Sequence, residues 1–147
     1  MRRTSTRIVA LVLVAAFLSA CRSLPIREQV VKSIQSASAA AYDAQDTERV
    51  LYAEGVLADL TPEKHRAFHA AFVTYLDAEY KLMAAVRRWS PGTPVPIDVT
   101  VALKAVHDAL TALRPLVIPS AQKVLDYVLA AVEGMRVSIA LSEAPKP

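Results

Sequence analysis

Proline sets the outline of this chain. Pro25, Pro62, the Pro91/Pro94/Pro96 cluster, Pro115 and Pro119 leave four long proline-free segments, 26–61, 63–90, 97–114 and 120–144. Proline lacks a backbone donor and its ring clashes with the preceding turn, so a helix tolerates it at the first turn and not in the interior. Each segment can therefore hold one uninterrupted helix. With only three glycines in the chain and abundant alanine, the composition leans the same way.

The apolar spacing within each segment agrees. In the first, predicted over Ile26 to Glu54, one face carries Val30, Ile34, Ala37, Ala41, Ala44 and Leu51. Gly55 is a candidate C-terminal cap and Val56 to Leu60 a short connector. Thr61-Pro62-Glu63 opens the second helix as N-cap, proline at the first helical position and an acid in the first turn. Its stripe is Phe68, Phe72, Tyr75, Leu76, Leu82, Met83, Val86 and Trp89, and Ser90-Pro91-Gly92-Thr93-Pro94 ends it.

The third helix should follow Asp98 as N-cap, with Val99, Leu103, Val106, Leu110, Leu113 and Val117 in a heptad-like seam that Pro115 ends or kinks near Leu113. Val95, Ile97, Val99 and Val101 also alternate as in a strand, but the longer seam outweighs four positions. The fourth helix should start near Ser120, with Ala121, Leu125, Val128, Val132, Met135 and Ile139 on its seam, Val124 and Leu129 widening it, and Gly134 weakening it. Four amphipathic helices with short connections imply an all-α fold, an antiparallel bundle of about four helices over 26–141, with 142–147 a flexible tail. At 1.5 Å per residue the first two helices span about 40 Å each and the third about 25 Å. The third and fourth are read as shorter than the first hairpin, leaving part of it bare or covered by a partner.

Residues 1–20 read differently. Arg2, Arg3 and Arg7 precede an unbroken apolar run, Ile8 to Phe17. Ten residues cannot cross a bilayer, which needs about 20, but they suit the apolar centre of a secretory signal peptide. The run leads to Leu18-Ser19-Ala20-Cys21, and Cys21 is the only cysteine of the chain. This tetrapeptide resembles the lipobox of bacterial prolipoproteins, in which an aliphatic and two small residues precede the cysteine. The resemblance covers residues 1–21. It implies that the Cys21 thiol receives a diacylglyceryl group, that the Ala20–Cys21 bond is cut, and that 21–25 is a lipidated tether. Two or more acyl chains anchor stably where one does not, at about 0.8 kcal/mol per buried CH₂. Arg22 stands where an Asp would signal inner-membrane retention, so the resemblance implies the outer membrane, facing the periplasm, in a Gram-negative host. Thr4-Ser5-Thr6 after Arg2-Arg3 lacks the apolar residues of a twin-arginine signal, which favours the general secretory route.

Removing the leader leaves 127 residues, about one domain. Three of the 17 basic residues and none of the 14 acidic ones lie in the leader, so the remainder carries 14 of each sign and no net charge. A nucleic-acid binder needs a basic face, and none is expected here. With Cys21 lipidated no thiol remains for a disulfide, so the core alone must hold the fold.

Motifs for chemistry are sparse. His65 and His69, at i and i+4, would share a helix face with Glu63 nearby. A zinc site needs a third and usually a fourth ligand; no cysteine is free and the remaining histidine is His107. No metal and no cofactor is therefore expected, with His65 and His69 read as surface or helix-edge histidines. Glu48 and Glu79 lie near the apolar stripes, but neither begins a Glu-x-x-His motif of a di-metal bundle, and both are expected to reach solvent at the core's edge. There is no Gly-x-Ser-x-Gly elbow and no Gly-rich phosphate loop. Phe68, Phe72, Tyr75 and Trp89 are candidates for a ligand groove or an interface, though their spacing reads first as core. Tyr42, Tyr52, Tyr80 and Tyr127 are scattered along the helices, suited to a bundle edge or an interface.

The resulting expectation is a non-enzymatic, lipid-anchored helical module of the bacterial cell envelope, held to the membrane through Cys21 and working by binding another envelope protein or itself. The alternative is a carrier of a small hydrophobic ligand held between helices.

Overall fold

A computed structural model of the chain describes residues 24–53 and 61–143. The lipobox, the tether through Ser23, Gly55 with its connector, and 144–147 lie outside the described residues. Four α-helices make up the fold: α1 (Ile26–Ala53), α2 (Pro62–Arg88), α3 (Ile97–Leu113) and α4 (Pro119–Glu143), with a 3-10 turn, Arg114–Leu116, between the last two. Among the described residues there is no strand, and the alternating residues Val95 to Val101 enter or precede α3. No described helix is long and apolar enough to cross a membrane.

The helices form a ring in chain order. α2 packs most extensively on α3, α1 on α4, and the α3–α4 and α1–α2 pairs close the bundle. Cross-helix contacts give the directions. Arg27 at the start of α1 meets Trp89 at the end of α2, Ser38 meets Glu79, Tyr42 meets Phe72, and Glu48 meets His65. Rising numbers on one helix against falling numbers on the other make the pair antiparallel. His107 near Glu133 and Arg114 on Asp126 do the same for α3 and α4.

The seams expected on α3 and α4 are buried at every position, from Val99 to Val117 and from Ala121 to Ile139. On α2, Phe68, Phe72, Tyr75, Leu82, Val86 and Trp89 are buried, joined by Ala78 and Ala85, while Leu76 and Met83 pack partly buried against the cluster. On α1 the buried face is Val30, Ile34, Ala37, Ala40, Ala41 and Ala44, and Leu51 is half-exposed. Alanine lets backbones approach but removes little apolar area, so the bulk comes from α2, α3 and α4; fully burying one Leu or Phe is worth roughly 1.5–3 kcal/mol.

Helix ends follow local chemistry. The Thr61 hydroxyl accepts from the Lys64 amide at 3.3 Å with Pro62 beside it, as the N-cap pattern requires. At the other end of α2, Arg27 Nε donates to the Trp89 carbonyl oxygen at 3.0 Å, and Arg87 and Arg88 occupy the last turn, where positive charge suits the helix dipole. The Ser90–Thr93 turn closes with Thr93 N–H on the Ser90 carbonyl at 3.3 Å. Pro91 and Gly92 are its central residues, and Gly92 adopts φ +79°, which an L side chain at that position resists. Pro115 behaves as a breaker: α3 ends at Leu113 and the proline sits in the 3-10 turn.

Two expectations are corrected. α3 starts two residues early, with Pro96 as N-cap; Asp98 lies in the first turn, accepts from the Val99 amide at 3.0 Å and pairs with Arg88 at 2.9 Å. The fourth helix is shorter than the first two, as expected, but only slightly: its 25 residues, near 37 Å, stand against 28 in α1 and 27 in α2, while α3 has 17. That helix also runs through Ser142 and Glu143, where a flexible tail was expected.

Two glycine substitutions should have opposite signs. Gly134 sits in α4 with open space where a Cβ would stand, so Gly134→Ala should stabilise by about 0.5–1 kcal/mol. Gly92→Ala also meets no atoms but must hold a positive φ, and should cost about 1–2 kcal/mol. Urea unfolding of the two variants reads both signs.

Acid should loosen the helix junctions. Arg88 holds the Asp98 carboxyl, and Arg114 the Asp126 carboxyl, below the ordinary carboxylate range through hydrogen bonds. A lowered folded-state pKa gives stability present above the unfolded value, near 3.9, and lost as pH falls through the folded one. The urea midpoint should therefore be insensitive to these carboxyls from pH 7 to 5 and fall below about pH 4, with a smaller fall in Asp126→Asn. Because the pairs are exposed, the effect should shrink with added salt.

Candidate functional site

One polar cluster in the bundle is not explained by solvation. It lies where the end of α1 meets the start of α2. Glu48 and Tyr52 come from α1, and His65 and His69 from successive turns of α2. Thr61 and Pro62 set where α2 begins, and the i, i+4 spacing then puts both imidazoles on one face.

Glu48 is the unusual member. It is 4% exposed, the only buried charged residue among those described. It was expected to reach solvent, and that expectation is corrected. Position 48 continues the α1 seam, since 37, 41, 44, 48 and 51 follow spacings of 4, 3, 4 and 3. Helical geometry turns it inward whatever its side chain. Glu79 does lie at the core's edge, half-exposed, where it accepts from the Ser38 hydroxyl.

Glu48 Oε1 bonds His65 Nδ1 at close range. A neutral imidazole carrying its proton on Nδ1 donates this bond, as does the imidazolium. Tyr52 stacks on His65 with ring centroids 3.9 Å apart and planes 8° from parallel, and His69 meets His65 edge-on at 4.4 Å and 86°. Glu48 Oε2 is buried without a hydrogen-bond partner among the described residues. Removing a carboxylate oxygen from water without compensation is costly. Glu48 also lines a small crevice with Ala44, Thr47, Leu116, Val117, Ile118 and Ala121, at the junction of α1 with the turn before α4.

One ligand atom from each of Glu48, His65 and His69 falls within a common 4.8 Å. The three grade outward from buried Glu48 through half-buried His65 to exposed His69. Two imidazoles and a carboxylate are donors that suit zinc and its neighbours. Glu63, the acid nearest in sequence, takes no part: it is exposed and accepts from Arg66. His107 lies on α3, half-buried near Asp108 and Glu133.

Phe68, Phe72, Tyr75 and Trp89 are all buried in the hydrophobic core. Phe68 and Phe72 stack at 6.1 Å, and Trp89 Nε1 donates to the Thr93 carbonyl at 3.2 Å, tying the core to the α2–α3 turn. The Tyr75 hydroxyl lies beside the Ser38–Glu79 pair, and burial together with the Glu79 charge pushes its pKa well above the ordinary value.

Comparison with family models, curated proteins and solved structures finds no match.

Exchanging Glu48 and His65 together for apolar residues tests whether the cluster exists for stability. Replacing both partners of a buried charged pair by packed hydrophobes is often neutral or favourable by about 1–4 kcal/mol, whereas removing one partner alone is costly. The double exchange Glu48→Leu with His65→Leu should leave the unfolding midpoint unchanged or raise it. A loss of about 3 kcal/mol or more would instead make the Glu48–His65 bond a structural clasp.

Proposed function

We propose that this protein is a membrane-anchored lipoprotein whose helical bundle is a non-enzymatic interaction module of the bacterial cell envelope. The observation that carries the reading is the sequence around Cys21: a basic start, a ten-residue apolar run, Leu18-Ser19-Ala20, then the only cysteine. The fold is compatible with it in two respects. No described helix is long and apolar enough to cross a membrane. The bundle begins at Ile26, five residues after Cys21, and such a stretch reaches at most about 18 Å. The anchor would keep α1 close to the headgroups.

The bundle would then act by presenting helix faces to another envelope protein or to a second copy. Val73 and Tyr80 on α2 and Val101 on α3 are exposed apolar residues of the kind such a contact uses. The balanced charge of the chain after the leader argues against nucleic acid and against an electrostatic lipid surface as partner.

Mass spectrometry of the membrane-fraction protein should find Cys21 as first residue, carrying acyl chains. Cys21→Ser should abolish both acylation and cleavage after Ala20. An unmodified Cys21, or a chain that keeps residues 1–20, would refute the anchor. Crosslinking in intact cells should capture a partner or a dimer with the acylated form; monomer alone would refute the interaction role.

A further inference from the structure

We propose that Glu48, His65 and His69 bind a divalent transition-metal ion of the zinc class. The inference is independent of the anchor. It rests on three observations.

The donor set and its placement come first. Two imidazoles one helical turn apart on α2 face a carboxylate from α1, and one ligand atom of each lies within 4.8 Å of the others. Tetrahedral zinc with bonds near 2.0–2.1 Å holds its ligand atoms about 3.3 Å apart, a spacing within the reach of this cluster.

The burial of Glu48 is the second. A carboxylate 4% exposed, with Oε2 unpartnered among the described residues, is an unfavourable arrangement for a bundle that needs only apolar side chains at its seam positions. A divalent cation held here would give the unpartnered Glu48 oxygen a partner.

The third is the pre-orientation of His65. Tyr52 stacks on its face and the Glu48 hydrogen bond fixes its ring, so the imidazole loses little freedom on binding a metal. Three protein ligands leave a fourth position, on the His69 side, open to water or to a donor from outside.

The test uses the full chain in detergent, with Cys21→Ser to remove the competing thiol and no histidine tag. Zn2+ is titrated against a chromophoric chelator of micromolar affinity, and Co2+ is added separately to read geometry from its visible absorption. The expected result is one Zn2+ per chain held against the chelator, a tetrahedral-type Co2+ spectrum, and an unfolding midpoint raised by Zn2+. Glu48→Gln, which keeps the shape, and His69→Ala, at an exposed position, should each weaken Zn2+ by at least about tenfold. Folding of each variant is checked by circular dichroism, and the exposed His69 keeps the test decisive should a change at Glu48 unfold the bundle. Failure to compete with the chelator would overturn the proposal, as would Zn2+ affinity unchanged in both variants.

Discussion

The register of α1 against α2 is the constraint on which the rest of the molecule depends. Arg27 on Trp89, Ser38 on Glu79, Tyr42 on Phe72 and Glu48 on His65 are four contacts along one antiparallel interface, spread over the length of both helices. A shift of one turn would part Glu48 from His65 and leave the last carbonyls of α2 without Arg27. The register is set at one end by Arg27 reaching the α2 terminus and at the other by the polar cluster. Between them the buried face of α1 is largely alanine, and such a surface by itself permits sliding.

That division of labour explains the uneven character of the four helices. α1 supplies small residues and polar anchors, α2 supplies the aromatic mass, and α3 and α4 supply aliphatic seams. A face of Ala37, Ala40, Ala41 and Ala44 buries too little area to hold a helix through the hydrophobic effect alone. Close packing on α4 and the specific contacts with α2 must contribute the rest. Glu48 occupies the seam position that an apolar residue would otherwise fill, so α1 gives up burial there for a polar contact. Such an exchange is common where a buried polar group serves specificity or ligand binding.

The polar cluster and the proposed anchor lie at opposite ends of α1. Cys21 precedes its first turn, and Glu48 and Tyr52 are in its last two. α1 is about 40 Å long. An anchored bundle standing on the first turn of α1 would therefore carry the Glu48–His65–His69 cluster on the end away from the membrane, where it is open to solutes and to other proteins.

The all-α fold, the four helices and nearly all of the core were decided by the sequence alone. Proline placement and seams of 4 and 3 are local properties: a helix must bury its apolar stripe, and only one arrangement of the backbone lines the stripe up. The Thr61 cap and the ends of α2 and α3 were legible for the same reason, since capping involves residues within one turn. Tertiary structure decided what depends on distance along the chain. That Glu48 is buried, that it faces His65 seventeen residues away, and that Tyr52 covers His65 follow from the α1–α2 register. The seam spacing through position 48 was visible, but a carboxylate there is ordinarily read as solvated, and only the partner helix reveals what it meets. The start of α3 at Ile97 puts Asp98 in its first turn, where it pairs with Arg88, a contact between two helices that no local pattern encodes.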